Sequence, residues 1–270
     1  MLDQVNKKGL VLKPIQNDVR GQRERDFFKT VSSSEDPEIR KFLEFIPQFH
    51  GVTKRSKSDG GQQEFIMMEN LTGNFSKACI MDVKIGAKTY GPDATPEKMK
   101  QQDASYAGTK VCQILLKPKY QNIFQVPFGF SVPGLSAFRG ANKEEQVTKA
   151  KDFGKTLTED NIDQLLELYL DITTDKDLAK HLAQLFLEEL KKIAALFETQ
   201  NTFNFFASSL LFVYDAEGVT NNKDQGPEGL RQFVKVKMID FAHVWPNTDQ
   251  SRDENYLRGV HSLIKLFSQV

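Results

Sequence analysis

Residues 78–88 read Ala78-Cys79-Ile80-Met81-Asp82-Val83-Lys84-Ile85-Gly86-Ala87-Lys88. At strand periodicity, Met81, Val83 and Ile85 fall on one face and Asp82, Lys84, Gly86 and Lys88 on the other. The first set can enter a core. The second presents a carboxylate, two ammonium groups and a glycine gap where a ligand can approach closely. Taken alone, the stretch also fits a half-buried strand with a solvated outer face. The neighbouring sequence decides between the two readings.

The chain has 270 residues, enough for one large domain or two lobes around a substantial core. A composition of 39% hydrophobic and 27% charged residues is that of an ordinary soluble protein. The formal net charge is zero, so bulk charge does not bind a polyanion and any attraction to phosphate must be local. From Lys77 to Lys119, eight lysines stand against four acids. That basic stretch reads either as a solvated helix face or as an anion site. Cys79 and Cys112 sit in apolar runs without zinc or disulfide spacing, which points to a reduced, intracellular setting. No apolar run approaches the roughly 18 residues of a membrane span, and residues 1–20 carry no signal-peptide core. The 21 phenylalanines read as core packing.

Residues 9–14 predict a short strand ending at Pro14, and 21–30 a helix that sets Glu24 beside Phe27 and Phe28. A short helix over 37–44, a strand over 47–52, a turn at 57–61 and a strand over 64–68 follow. Thr95-Pro96-Glu97 has the chemistry of a helix start, with Lys98, Met99, Lys100, Gln101 and Gln102 on the helix. Residues 111–116 and 122–138 read as strands and loops. Helices are expected over 160–170, capped by Thr158, and over 178–197, where apolar residues recur every three or four positions. An apolar strand covers 205–214, a long turn 215–229 and a strand 233–240. A C-terminal helix contains Tyr256, Val260, Leu263, Ile264 and Phe267.

Two further residues carry chemistry. Asp240 ends a strand in Met238-Ile239-Asp240-Phe241-Ala242-His243, where a carboxylate can hold Mg²⁺ while substrate phosphates complete the shell. By itself it reads first as a turn aspartate. Lys13 ends the first strand and Glu24 lies on the next helix, the order in which a kinase holds its phosphate-binding lysine. By itself Lys13 is a surface lysine before a proline. The sequence has no Walker A motif, no glycine-rich loop over 9–20 and no His-Arg-Asp triplet. It is not an ordinary protein kinase.

The combination resembles the inositol polyphosphate kinase family. Asp82-Val83-Lys84-Ile85-Gly86, Ser208-Ser209-Leu210-Leu211 and Ile239-Asp240-Phe241 match its three signatures in order. Asp253-Glu254-Asn255-Tyr256 with Gly259, and Arg23-Glu24 with Phe27-Phe28, match flanking stretches. The likeness runs from about residue 12 to 264 and is strongest to the compact hexakisphosphate kinases and multikinases. Ala78 stands where the first signature normally has proline, a change expected to alter local rigidity only.

The resemblance implies an α+β, two-lobed kinase-like fold with antiparallel sheets. The N-lobe would span 1–72 and the C-lobe 73–270, with the inositol phosphate-binding helix around 95–106 and the ATP cleft between the lobes. It implies ATP and Mg²⁺ as cofactors. Lys13 would contact the ATP phosphates, and Glu69 and Leu71 would offer backbone groups to adenine. Asp82 would bind the ribose, and Asp240 the metal with Ser209 beside it. Lys84, Lys98, Gln101, Gln102, His243 and Arg20 would face the inositol phosphate, with Lys155 a weaker candidate. Lys84, Asp240 and His243 are the expected catalytic set.

The reaction implied is γ-phosphoryl transfer from ATP, foremost to inositol hexakisphosphate to give a diphosphate. The alternative is transfer to ring hydroxyls of tris- and tetrakisphosphates, as in multikinases. A non-catalytic inositol phosphate-binding module is the rival from another class, though such a module has no need of Asp82, Ser209 and Asp240 together. The expected protein is a monomer of the cytoplasm, compatible with the nucleus, with no nucleic-acid partner and no integral membrane segment.

Overall fold

A computed structural model describes residues 3–5, 9–56, 60–100 and 128–270. Gln101, Gln102, Cys112 and, of the strands and loops expected over 111–116 and 122–138, residues 111–116 and 122–127 lie outside the described residues.

The first part of the chain builds a four-stranded antiparallel sheet in the order β1-β2-β4-β3, from β1 (Asp3–Val5), β2 (Leu10–Pro14), β3 (Phe49–Ser56) and β4 (Gln62–Glu69). Between β2 and β3 run α1 (Val19–Ser33) and α2 (Pro37–Arg40), the latter continued by a 3-10 turn over Lys41–Glu44. Asp18 caps α1 by accepting from the amides of Arg20 and Gly21. Helix α1 buries Gly21, Glu24, Phe27, Phe28 and Val31.

The second sheet is five-stranded and antiparallel, in the order β10-β9-β5-β6-β7. Its strands are β5 (Ala78–Ile85), β6 (Phe130–Arg139), β7 (Glu145–Lys149), β9 (Ser209–Asp215) and β10 (Val234–Ile239). Strand β5 is the middle one. Cys79, Met81, Val83 and Ile85 are buried, while Ala78, Ile80, Asp82 and Lys84 are half-buried, as an alternating strand requires. Opposite it, β6 carries an extra residue: Asp82 pairs with Gly134 but Lys84 with Ser131. That bulge takes up Pro133, which has no N–H to give the ladder.

Helices α3 (Lys151–Thr156), α4 (Asp163–Leu170) and α5 (Lys176–Thr199) follow β7. The apolar stripe of α5 is buried from Leu178 to Phe197. The C-terminal helix α8 (Glu254–Phe267) packs on it, with Phe197 stacked on Tyr256 at 4.1 Å. Buried residues from both sheets and these helices form one connected core.

The structure departs from expectation in three places. Helix α4 begins at Asp163; Thr158 instead opens a turn, its amide donating to Asn161 Oδ1 and its carbonyl accepting from the Asn161 amide. The apolar run at 205–214 is two strands, β8 (Phe203–Phe205) and β9, broken where Ala207 takes a left-handed φ of 52°. Strand β8 leaves the sheet to pair with β11 (Val244–Pro246). The long turn at 215–229 contains α6 (Ala216–Asn221), capped by Asp215, and α7 (Gly226–Leu230).

Candidate active site

Register places the polar residues of the second sheet in rows. Lys84, Ser209 and Ile239 are cross-strand partners on β5, β9 and β10, and Asp82, Leu211 and Lys237 form the next row. Directly opposed residues share a face. At about 4.8 Å between strands, one short row carries Lys84 and Ser209 and then leads through Ile239 to Asp240. Across β6 the residue opposite Asp82 is Gly134, so no side chain crowds the carboxylate from that strand.

Asp240 lies just past β10 with a left-handed φ of 63°, uncommon for a residue with a side chain. Several bonds hold this geometry. The Ser208 hydroxyl donates to the Ile239 carbonyl at 2.8 Å, and the Phe241 amide donates to Glu24 Oε1 at 3.1 Å. The Arg23 guanidinium donates to the Ala242 carbonyl at 2.7 Å, and the Phe206 amide to the His243 carbonyl at 3.0 Å. Beneath the loop, Phe241 packs 4.3 Å from Phe27 and 5.2 Å from Phe28. The phenylalanines thus pack α1 against the loop that presents Asp240.

Lys13 Nζ lies 2.7 Å from Glu24 Oε1 and 2.6 Å from Asp240 Oδ1. Burial works against the charge of Lys13, but Glu24 and Asp240 outweigh it and raise its pKa. The ammonium therefore stays charged at any physiological pH. Burial, joined by the nearby charge of Asp240, pushes the Asp82 carboxyl up, while Ser209, Lys84 and Lys13 pull the other way. Asp82 Oδ1 and Ser209 Oγ are nevertheless buried without a hydrogen bond of good geometry. Buried polar atoms of this kind call for a partner. His243 is half-buried, and burial, with Lys98 next in strength, lowers its pKa against the opposing pull of Asp93. Its imidazole is neutral at pH 7.

The remaining expected residues are placed as follows. Glu69 ends β4; its amide donates to Gln48 and its carboxylate pairs with Lys235 at 2.9 Å. Leu71 is buried in the turn that follows. Arg20 pairs with Asp18 at 2.6 Å at the start of α1. Lys98 is exposed on the helical turn 96–100, where its amide donates to the Thr95 hydroxyl. The Lys155 ammonium is tied to Asp152 at 2.5 Å. Lys88 rests over the rings of Tyr90 and Phe206, with its backbone clamped by Asn255.

One expectation is corrected. Gly86 does not leave space for a ligand. With φ at 92°, a Cβ there would come 2.3 Å from Asn255 Nδ2, so the glycine admits Asn255 of α8. Arg23, Asp93, Ser208 and Trp245 have no local mark of a role in the sequence, beyond the place of Arg23 and Ser208 within the family-like motifs.

A strand row joining a lysine, a serine and a strand-end aspartate meets Lys13 of the first sheet, itself paired with Glu24 of α1, an order of parts like that with which kinases hold phosphate. Among the described residues no three His, Cys, Asp or Glu side chains cluster as a ready-made metal site. Asp240, half-exposed and with one carboxylate oxygen engaged by Lys13, suits a metal whose shell is completed by substrate phosphates. Residues 65–268 match the family described as inositol polyphosphate kinase. The chain belongs to that family. It is 31% identical to human inositol polyphosphate multikinase over 209 residues, 77% of this chain and 45% of that protein. It is 24% identical to mouse inositol hexakisphosphate kinase 3 over 221 residues, 77% of this chain and 51% of that protein. The chain thus spans about half the length of these curated relatives. The crystal structure of the S. cerevisiae inositol phosphate multikinase, in complex with ADP and Mn²⁺, shares the fold: TM-score 0.71 at 20% identity, covering 96% of this chain and 98% of that one. No helix among the described residues is long and apolar enough to cross a membrane.

Proposed function

We propose that this chain is an ATP-dependent inositol polyphosphate kinase of the multikinase type, adding phosphate to ring hydroxyls of tris- and tetrakisphosphates. The observation that carries this is the greater identity to the multikinase than to the hexakisphosphate kinase, 31% against 24%, over the same share of the chain. The neutral imidazole of His243 favours the same reading. A hydroxyl acceptor must lose a proton, and a neutral histidine can take it. An acceptor phosphate is already ionised and needs no base. Production of a diphosphate from the hexakisphosphate is the second reading, supported by the kinship with the hexakisphosphate kinase.

In this proposal residues 1–72 form the N-lobe, 73–270 the C-lobe, and ATP lies between them. Lys13, oriented by Glu24, binds the ATP phosphates. Glu69 and Leu71 meet adenine through their backbone, and Asp82 accepts hydrogen bonds from the ribose hydroxyls. Asp240 holds Mg²⁺ with Ser209 beside it; the metal supplies charge neutralisation on the transferring phosphoryl group. Lys84 and His243 face the acceptor, with Arg20, Lys98, Gln101 and Gln102 gathering its phosphates. The fixed loop around Asp240 contributes positioning, the main component of phosphoryl-transfer catalysis. Incubation with Mg-ATP and a panel from tris- to hexakisphosphate, followed by chromatographic resolution of the products, tests the reading. Tetrakis- and pentakisphosphates are the expected products. A diphosphate alone would move the assignment to the second reading, and no product from any acceptor would leave the binding module.

A further inference from the structure

We infer that Arg23 is a positioning residue that couples the acceptor-binding segment to the metal-binding loop; the inference rests on the kinase reading above. Its side chain is only 14% exposed, and the guanidinium meets three parts of the chain. Nη1 donates to the Ala242 carbonyl at 2.7 Å, inside the loop that begins at Asp240. Nη2 donates to Asp93 Oδ2 at 3.2 Å. The flat face lies 3.9 Å over the ring of Trp245 on β11. Asp93 stands in the turn closed by the Ala94 amide on the Gly91 carbonyl, and two residues later Thr95 starts the helical turn that carries Lys98. The same turn packs on the other partner, because a Cβ at Gly91 would come 2.3 Å from Trp245 Nε1. Arg23, Trp245, Gly91 and Asp93 therefore close a ring of contacts between the lead-in to the acceptor helix and the loop of Asp240 and His243.

Adjacent residues of α1 divide the task. Glu24 fixes Lys13 and the Phe241 amide, on the nucleotide side. Arg23 fixes the next carbonyl, Ala242, and reaches to the acceptor side. The role needs a planar cation with in-plane donors and a free face. A lysine at this position has one compact ammonium group and cannot serve all three contacts.

The test compares Arg23→Lys, Asp93→Asn and the double variant. Arg23→Lys keeps the charge and guards against loss of folding that Arg23→Ala can cause. We expect kcat to fall about tenfold and KM for the inositol phosphate to rise by a similar factor, since small misplacements of the acceptor are costly. KM for ATP stays within twofold. The double variant is no worse than Arg23→Lys alone, because both break one linkage. Amide hydrogen exchange accelerates together in 91–100 and 240–245. Additive losses, a rise in KM for ATP equal to that for the acceptor, or exchange that changes in only one of the two segments would overturn the coupling. Absence of any turnover by the unaltered protein overturns the kinase reading instead, and the exchange measurement still judges the coupling.

Discussion

Asp171 and Asp240 are two aspartates in nearly the same local state. Each has a left-handed φ, 55° and 63°, and each has a lysine ammonium on its carboxylate, at 2.7 and 2.6 Å. They differ in what else they meet. Asp171 is 1% exposed and accepts from Arg139 Nε, the Gly140 amide, Lys143 Nζ and the Thr174 hydroxyl. Both of its oxygens are occupied, and it ties the β6–β7 turn to the start of α5. Asp240 is 45% exposed and meets Lys13 through one oxygen. A saturated carboxylate is a structural joint, whereas one left half open on a rigid loop can take a ligand. Lone-pair occupancy, more than charge or backbone strain, separates the two roles.

Substituting both positions in the same way gives the widest contrast. Asp240→Asn keeps shape and loses charge at the open site. It should lower kcat by roughly a hundredfold to a thousandfold, with a thermal midpoint close to that of the unaltered protein. Asp171→Asn leaves the buried Lys143 ammonium without its counter-charge. It should cost about 3–5 kcal/mol, seen as a drop of roughly 10 °C in the melting midpoint, with kcat near normal below that temperature. Parallel calorimetry and product assays check the pair. Equal effects of both substitutions on stability and turnover would erase the distinction.

Acid should separate them further. Burial opposes ionisation of Asp171, but Lys143 and the hydroxyl of Thr174 prevail and lower its pKa below the ordinary aspartate value. The stability it contributes is therefore full above the unfolded value near 3.8 and is lost as pH falls through the lower folded value. In the proposed reaction the titrating group is His243, whose lowered pKa keeps it neutral at pH 7. With a hydroxyl acceptor, turnover should hold level above pH 6.5 and fall as pH drops through the lowered folded value. His243→Gln should remove that limb and reduce the plateau. With the hexakisphosphate as acceptor the limb should be absent in both proteins. A pH profile of kcat on each acceptor checks this.

Periodicity made much of this molecule legible. The alternation around Asp82 yielded β5, and the three-and-four spacing from Leu178 to Phe197 yielded α5, because local burial patterns dictate both. Lys13, Glu24 and Asp240 could be named from motif order, and they lie together in the structure. What stayed hidden depends on partners distant in sequence. The run at 205–214 is apolar throughout, so the break at Ala207, which lets β8 leave the sheet, has no local mark. Gly86 looked like space for a ligand because nothing nearby in sequence shows that Asn255 fills it. Asp171 carried no motif at all; its four donors come from the end of β6, the β6–β7 turn and the turn before α5.

The finest comparison removes one hydrogen bond from each aspartate's surroundings. The Thr174 hydroxyl donates to Asp171 and the Ser208 hydroxyl to the Ile239 carbonyl just before Asp240, both at 2.8 Å. Each deletion should cost about 1 kcal/mol of stability, so Thr174→Val and Ser208→Ala should melt within a few degrees of each other. Their catalytic effects should differ. Thr174→Val leaves three donors on a joint remote from the cleft, and kcat should not move. Ser208→Ala frees the carbonyl that precedes a left-handed Asp240, and a residue in that conformation relaxes when its restraints are cut. A fall in kcat of about fivefold to tenfold is expected, with KM for ATP little changed, since misplacement acts on the transition state. Matching melting curves with unequal kcat would show that the bonds around Asp240 serve geometry beyond stability. Matching kcat would mean that the loop keeps its shape without Ser208, leaving Glu24, Arg23 and Phe206 to hold it.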